Sequence, residues 1–304
     1  MFDKTSDMLI SVFAADAFSL KAEWIYDFGK VDTIIESTKD ELAAHPEKGY
    51  LTGKEAGEFS HYGDHVRNLL GYLVSSNRQF SLDTYSAHWS NFFDTYNGYK
   101  DHASKAAFKR LSKEVTSFKA PKKMLADMAG ASRFAPLVLL HPSDAEALTS
   151  MAQSEAGCFY NSPFITDSIS LGCFLVVSCL KGEHPFEALG SKDAPISDLI
   201  RPLVEGGLES VQQDTRLAIE KFGNACGIDG SLPGIIHLIA KYKDDPIRGH
   251  HENLRAGGDI SGRSLLYSMA MGAFFGVDSV RKSWIDGLQD LEAIRKDISF
   301  LLVR

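Results

Sequence analysis

Residues 252–276 read ENLRAGGDISGRSLLYSMAMGAFFG. Two adjacent glycines, Gly257 and Gly258, let the backbone bend sharply. Asp259 follows them, at the place where a helix N-cap belongs. An oxygen ligand to a hard cation would fit the same place. Beyond Asp259 the run is apolar and rich in small residues, so it reads as a helix. Gly272 and Gly276 in that helix would permit close packing against a neighbour.

The same helical spacing recurs through the chain. Val66, Leu69, Leu70, Leu73 and Val74 step by three and four. Leu208, Val211, Thr215, Ala218 and Phe222 do so too, as do Val280, Trp284, Leu288 and Leu291. Each set places one apolar stripe on one helix face. Alternation of period two is scarce, and only PLVLL (136–140) could pass for a short buried strand. Polar, Gly-containing stretches at 45–64, 181–195 and 243–251 read as loops, with the pair His250 and His251 at a loop surface. None is long enough for an interdomain linker. The expectation is an all-α chain forming a single domain over 1–304.

Composition sets further bounds. At 304 residues, 44% hydrophobic and 24% charged, the chain has the make-up of a soluble globular protein. A net charge of −8 argues against general nucleic-acid binding. The four cysteines form no C-x-x-C pair, which favours a reducing, cytoplasmic setting. The first residues lack a basic leader, and the longest apolar run, near 171–180, is too short to span a bilayer, so no membrane partner is expected.

P-loop, G-x-G-x-x-G, G-x-S-x-G and H-E-x-x-H motifs are absent. What remains is a set of acids and small residues beside glycines. Asp16 and Glu23 are seven apart and share a face if their segment is helical. Asp64 precedes an amphipathic run, again an N-cap position. His61 and His65 are spaced for joint metal binding, although hydrogen-bonded loop histidines are the commoner case. Gly130, Ala131 and Ser132 offer backbone N–H groups that attract phosphate, and Arg133 could hold a phosphate or carboxylate as a fork. The ordinary alternative for Arg133 is a surface ion pair.

Taken in order, these blocks resemble the ADP-ribosylglycohydrolase family, which includes the dinitrogenase-reductase-activating glycohydrolases and the J1-type crystallins. ISVFAADAFSLKAEW resembles the family's opening helix, G-D-A-L-G followed by a Glu. HYGDH falls where the family has T-D-D-T. AGASRFAPLVLLHPSDAEAL resembles its G-x-x-M-R-x-A-P-L segment, and SPFITDSISLGCFLVV follows in the usual order. AGGDISGRSLLYSMAMGAFFG resembles the closing G-G-D-T-D-T and its small-residue helix. The resemblance covers nearly the whole chain. It implies an all-α orthogonal helical bundle whose cleft takes ADP-ribose or a related ribosyl ligand. In active members the cleft holds two Mg²⁺ ions that assist hydrolysis of the ribosyl bond.

Carried over residue by residue, the motif is incomplete. Asp64 keeps the second Asp of T-D-D, Asp259 keeps the first Asp of the closing motif, and Glu23 falls where the opening-helix Glu is expected. Tyr62 and Gly63 replace the Thr and the first Asp, and Ser261 and Gly262 replace the second Asp and the Thr. Paired divalent ions need several carboxylates against their mutual repulsion. The expectation is at most one Mg²⁺, held by Asp64, Asp259 and Glu23, which are also the candidate catalytic acids. Gly130, Ala131, Ser132, Arg133, Ser261 and Arg263 are the candidate ligand contacts. Arg263 lies one turn after Asp259 and would supply the positive charge that a metal supplies in active relatives, unless it points to solvent. Three functions follow: a hydrolase of ribosyl bonds, a binding module that has lost the chemistry, and a structural, crystallin-like protein.

Overall fold

A helix that is apolar on every side has to be surrounded. In the computed structural model, which describes residues 4–46, 49–111 and 127–303, this holds for both ends of the chain. The described residues form sixteen α-helices. In order they are α1 Lys4–Ser19, α2 Phe28–Thr38, α3 His61–Ser75, α4 Leu82–Thr95, α5 His102–Leu111, α6 Ala129–Ser132, α7 Ala145–Ala156 and α8 Pro163–Leu180. Then come α9 Pro185–Leu189, α10 Arg201–Glu209, α11 Thr215–Phe222, α12 Ile228–Lys241, α13 Pro246–Arg255, α14 Ile260–Phe275, α15 Lys282–Asp286 and α16 Leu291–Leu302. No strand occurs among the described residues.

Helices α1 and α14 make the most extensive helix–helix contact and form the centre of the bundle. Residues 260–273 of α14 are all buried. Small residues set the approach: a Cβ on Gly272 would sit 3.1 Å from the Cα of Met8. Hydroxyls tie the pair together, with Ser19 Oγ and Ser264 Oγ 2.9 Å apart. Burial of Phe13, Phe18, Leu265 and Met269 on these two helices contributes about 1.5–3 kcal/mol per side chain. Around it α8, α12, α3 and α16 complete a continuous apolar cluster.

Several expectations need correction. PLVLL lies in a 3-10 helix, Ala135–Leu139, because Pro136 near its start favours a helical turn. The stripe 208–222 belongs to two helices, α10 and α11, broken where Asp214 caps α11 by accepting from Leu217 N at 3.1 Å. The stripe 280–291 is likewise divided between α15 and α16. His250 and His251 sit in α13, not in a surface loop, and His250 is buried against Tyr267. Helix α8 has the length and apolarity of a membrane span, longer than the run at 171–180 suggested, yet 56% of it is buried in the protein.

The Gly-Gly turn before α14 joins three segments. Gly257 and Gly258 have φ of 64° and 68°, a region that favours glycine. Trp24 N donates to Gly258 O at 2.7 Å, Gly258 N to Ile25 O at 2.9 Å, and Asp259 N to Asn224 O at 2.8 Å. A Cβ on Gly258 would meet Asn224 O at 2.0 Å. Gly258→Ala is therefore expected to cost about 3 kcal/mol, from left-handed strain plus a backbone clash. Urea denaturation checks it; a loss below about 1 kcal/mol would show that the turn shifts freely.

Candidate functional site

Asp259 stands at the N-cap position of α14, but its side chain makes no capping bond. Its Oδ1 instead accepts from Tyr62 Oη at 2.7 Å and Trp24 Nε1 at 3.1 Å. Its Oδ2 is buried and unpartnered. The Gly262 Cα lies behind it, where a Cβ would come within 2.2 Å of Oδ2. The sequence gives glycine where the carboxylate needs room.

Glu23 follows a 3-10 turn, Leu20–Ala22, that ends α1. It is fully buried, with Oε2 accepting from Ser261 N at 2.7 Å and Oε1 unpartnered. Burial, and then the charge of Asp259 within hydrogen-bonding reach, raise its carboxyl well above the usual range. Burial beside a second carboxylate thus disfavours the charged form of Glu23. Asp16 is also fully buried. It accepts from Ser60 N at 2.8 Å and Ser60 Oγ at 2.6 Å, and burial pushes its carboxyl up to about 6. A Cβ on Gly63 would lie 2.2 Å from Asp16 Oδ2, so the Asp16 carboxylate fills the space beside residue 63.

Asp64 is in the first turn of α3, which Ser60 rather than Asp64 caps. Its Oδ2 is bound by Lys54 Nζ at 2.8 Å and by Tyr96 Oη. No bond joins it to Asp259 or Glu23; it faces a second, 670 Å³ cavity shared with Lys54, Arg67, Asn68 and His88. His61 and His65 share a face of α3, both buried. His65 Nδ1 accepts from Trp89 Nε1 at 3.1 Å. Burial holds His61 down at about 4 and His65 well below its ordinary value, so both are neutral.

Gly130, Ala131, Ser132 and Arg133 lie together on and just after α6, all buried. Arg133 stacks 4.4 Å from the ring centre of Phe159, beneath Tyr160. Arg263 is fully buried rather than pointing to solvent. It donates from Nε to Asn253 Oδ1 at 2.7 Å, from Nη2 to Gly257 O at 2.6 Å and from Nη1 to Asn224 O at 3.4 Å. Its charge acts on Asp259 and Glu23 through space, and its hydrogen bonds go to the turn.

Glu23 opens on a cleft of about 370 Å³ lined by Trp24, Tyr26, Tyr50, Tyr99, His45 and Cys226, among others. Trp24, Tyr50 and Tyr99 lie outside the regular helices and carry no periodic signal in the sequence. Asp127, just before the MAGASR segment, is equally unmarked by any motif. Asp127 lies one residue before the N-cap of α6, and its Oδ1 accepts from Ala129 N at 2.9 Å. Burial, then the charge of Asp259, push it up to about 7. An acid raised in the folded state binds a proton that the unfolded chain has released, so stability falls as pH rises from about 4 to about 7. Asp127→Asn is expected to match wild type near pH 4 and to exceed it by several degrees in Tm at pH 8. Parallel melting curves at the two pH values check this; a pH-independent difference would contradict the shift.

The family model for ADP-ribosylglycohydrolase matches residues 1–303. A solved structure described as an ADP-ribosylglycohydrolase-related protein complex is 16% identical, with a TM-score of 0.75, covering 99% of this chain and 97% of that one. No curated protein matches the chain. With the match spanning the sequence and the fold alike, the chain belongs to the ADP-ribosylglycohydrolase family.

Proposed function

We propose that this chain is a binding member of its family, related to the J1-type crystallin branch, which takes a ribosyl ligand in the Glu23 cleft without two-metal hydrolysis. The observation that carries this is the pair of protein donors, Tyr62 Oη and Trp24 Nε1, on Asp259 Oδ1. An oxygen already accepting two hydrogen bonds is a poor ligand for a divalent ion. Other features support the reading. Gly63 and Ser261 bring no carboxylate, and Asp64 is drawn off by Lys54. Among the described residues, no three His, Cys, Asp or Glu side chains form a set that could hold a metal. The residues therefore do not fit a dinuclear Mg²⁺ site. Glu23 Oε1, Asp259 Oδ2 and Ser261 Oγ are open oxygens that one ion with its waters would require, so one Mg²⁺ is the upper limit.

Calorimetry with ADP-ribose, with and without Mg²⁺, followed by a hydrolysis assay on ADP-ribosyl-arginine, tests the proposal. Mg²⁺-independent binding without turnover supports it. Rapid Mg²⁺-dependent turnover overturns it. No binding under either condition favours the structural, crystallin-like role instead.

A further inference from the structure

Resting on the reading of the Glu23 cleft as the ligand site, the chemistry of its walls and floor indicates the charge of what it takes. Tyr50 is 67% exposed and Tyr26 50%, so both offer open ring surface at the mouth. Trp24 and Tyr99 brace Tyr50 from within, with ring centres 5.5 Å and 4.7 Å from it. Ring faces are electron-rich and attract cations. At the inner end stands Glu23, fully buried, with Oε1 unpartnered, and Asp259 behind it has its own unpartnered Oδ2. Among the described residues, none that lines the cleft is a Lys or Arg. Arg263, the buried cation behind the acids, directs its hydrogen bonds to Asn253 and to two backbone carbonyls.

We propose that this cleft recognises an organic cation, a quaternary ammonium or N-substituted pyridinium group, stacked on Tyr50 and Tyr26 and drawn inward by the Glu23–Asp259 carboxyl pair. A phosphate would meet the unpartnered oxygens of Glu23 and Asp259, with no Lys or Arg among the described residues that line the cleft. A hard metal ion would gain nothing from the aromatic walls and would find Asp259 Oδ1 already bound by Tyr62 and Trp24. A soft, weakly hydrated organic cation uses both features.

The test uses the full chain, by calorimetry and by tryptophan fluorescence. Trp24 is the cleft-lining tryptophan, while Trp89 and Trp284 are buried. Choline is compared with its neutral isostere 3,3-dimethyl-1-butanol, and N-methylnicotinamide with nicotinamide, so that the two pairs separate an ammonium source from a ring source. At least one cation is expected to bind about tenfold tighter than its neutral partner. Tyr50→Ala, a surface change, should weaken that binding about fivefold and leave Tm unchanged. Asp259→Asn should weaken the cation and spare the isostere. Equal affinity of cations and isosteres overturns the inference, as does competitive displacement of the cation by millimolar Mg²⁺. ADP-ribose binding that Tyr50→Ala abolishes, with no cation preference, defeats this inference and leaves the cleft reading standing. No binding of any of these compounds, ADP-ribose included, defeats both.

Discussion

Arg263→Leu is expected to lose about 3–5 kcal/mol of folding stability and roughly 5–8 °C in Tm. The guanidinium is fully buried and makes three hydrogen bonds, to Asn253, Asn224 and Gly257. Leucine fills part of the volume but leaves two close acceptors, Asn253 Oδ1 and Gly257 O, desolvated and unpaired. Each such group costs about 1–3 kcal/mol. The variant also removes the positive charge that acts on Asp259 and Glu23. Arg263→Lys should recover little, since one ammonium cannot span acceptors held by a planar fork. Thermal melting followed by circular dichroism at neutral pH measures the loss. A Leu variant within about 1 kcal/mol of wild type would mean that the turn is held by its glycine conformation alone.

Gly63→Asp, which restores the acid usual in the family, is expected to destabilise by about 4 kcal/mol or more. The added Cβ would fall 2.2 Å from Asp16 Oδ2 and 2.8 Å from Phe59 Cβ. Asp16 cannot easily yield, because Ser60 binds both of its oxygens. A second carboxylate would also sit beside one already raised by burial. Gly63→Ala separates the two effects, since it keeps the clash without the charge, and should cost about half as much. If Gly63→Asp were as stable as wild type and bound Mg²⁺, the packing around Asp16 would have to be far looser than these distances state. The departure from the family motif is thus a coupled change, in which residue 63 and the Asp16–Ser60 pair fit each other.

The all-helical architecture was legible because α3 carries period 3.6 over ten or more residues and α14 is an unbroken apolar run rich in small residues. The breaks inside 208–222 and 280–291 were not. A stripe continues across a tight turn when both helices pack on the same core, and spacing alone does not report the interruption. The acids Glu23 and Asp259 were legible as motif remnants beside a Gly-Gly turn. Their partners were not, because Tyr62 and Trp24 reach Asp259 across separations of 197 and 235 residues. The loop tyrosines at 50 and 99 carry no pattern at all. Their place at the cleft is set by packing around Trp24.

The pairing of α1 with α14 also bears on how the chain is made. Ser11 and Gly276 are bonded across 265 residues, and Ser19 and Ser264 across 245. Helix α1 is buried along nearly its whole length, yet its principal partner emerges from the ribosome only after most of the chain has been synthesised. At about 5–20 residues per second, that delay is on the order of tens of seconds. An apolar N-terminal helix must wait through that time without its mate. Folding of this protein is therefore a late, long-range closure, and the carboxyl cluster cannot exist before it.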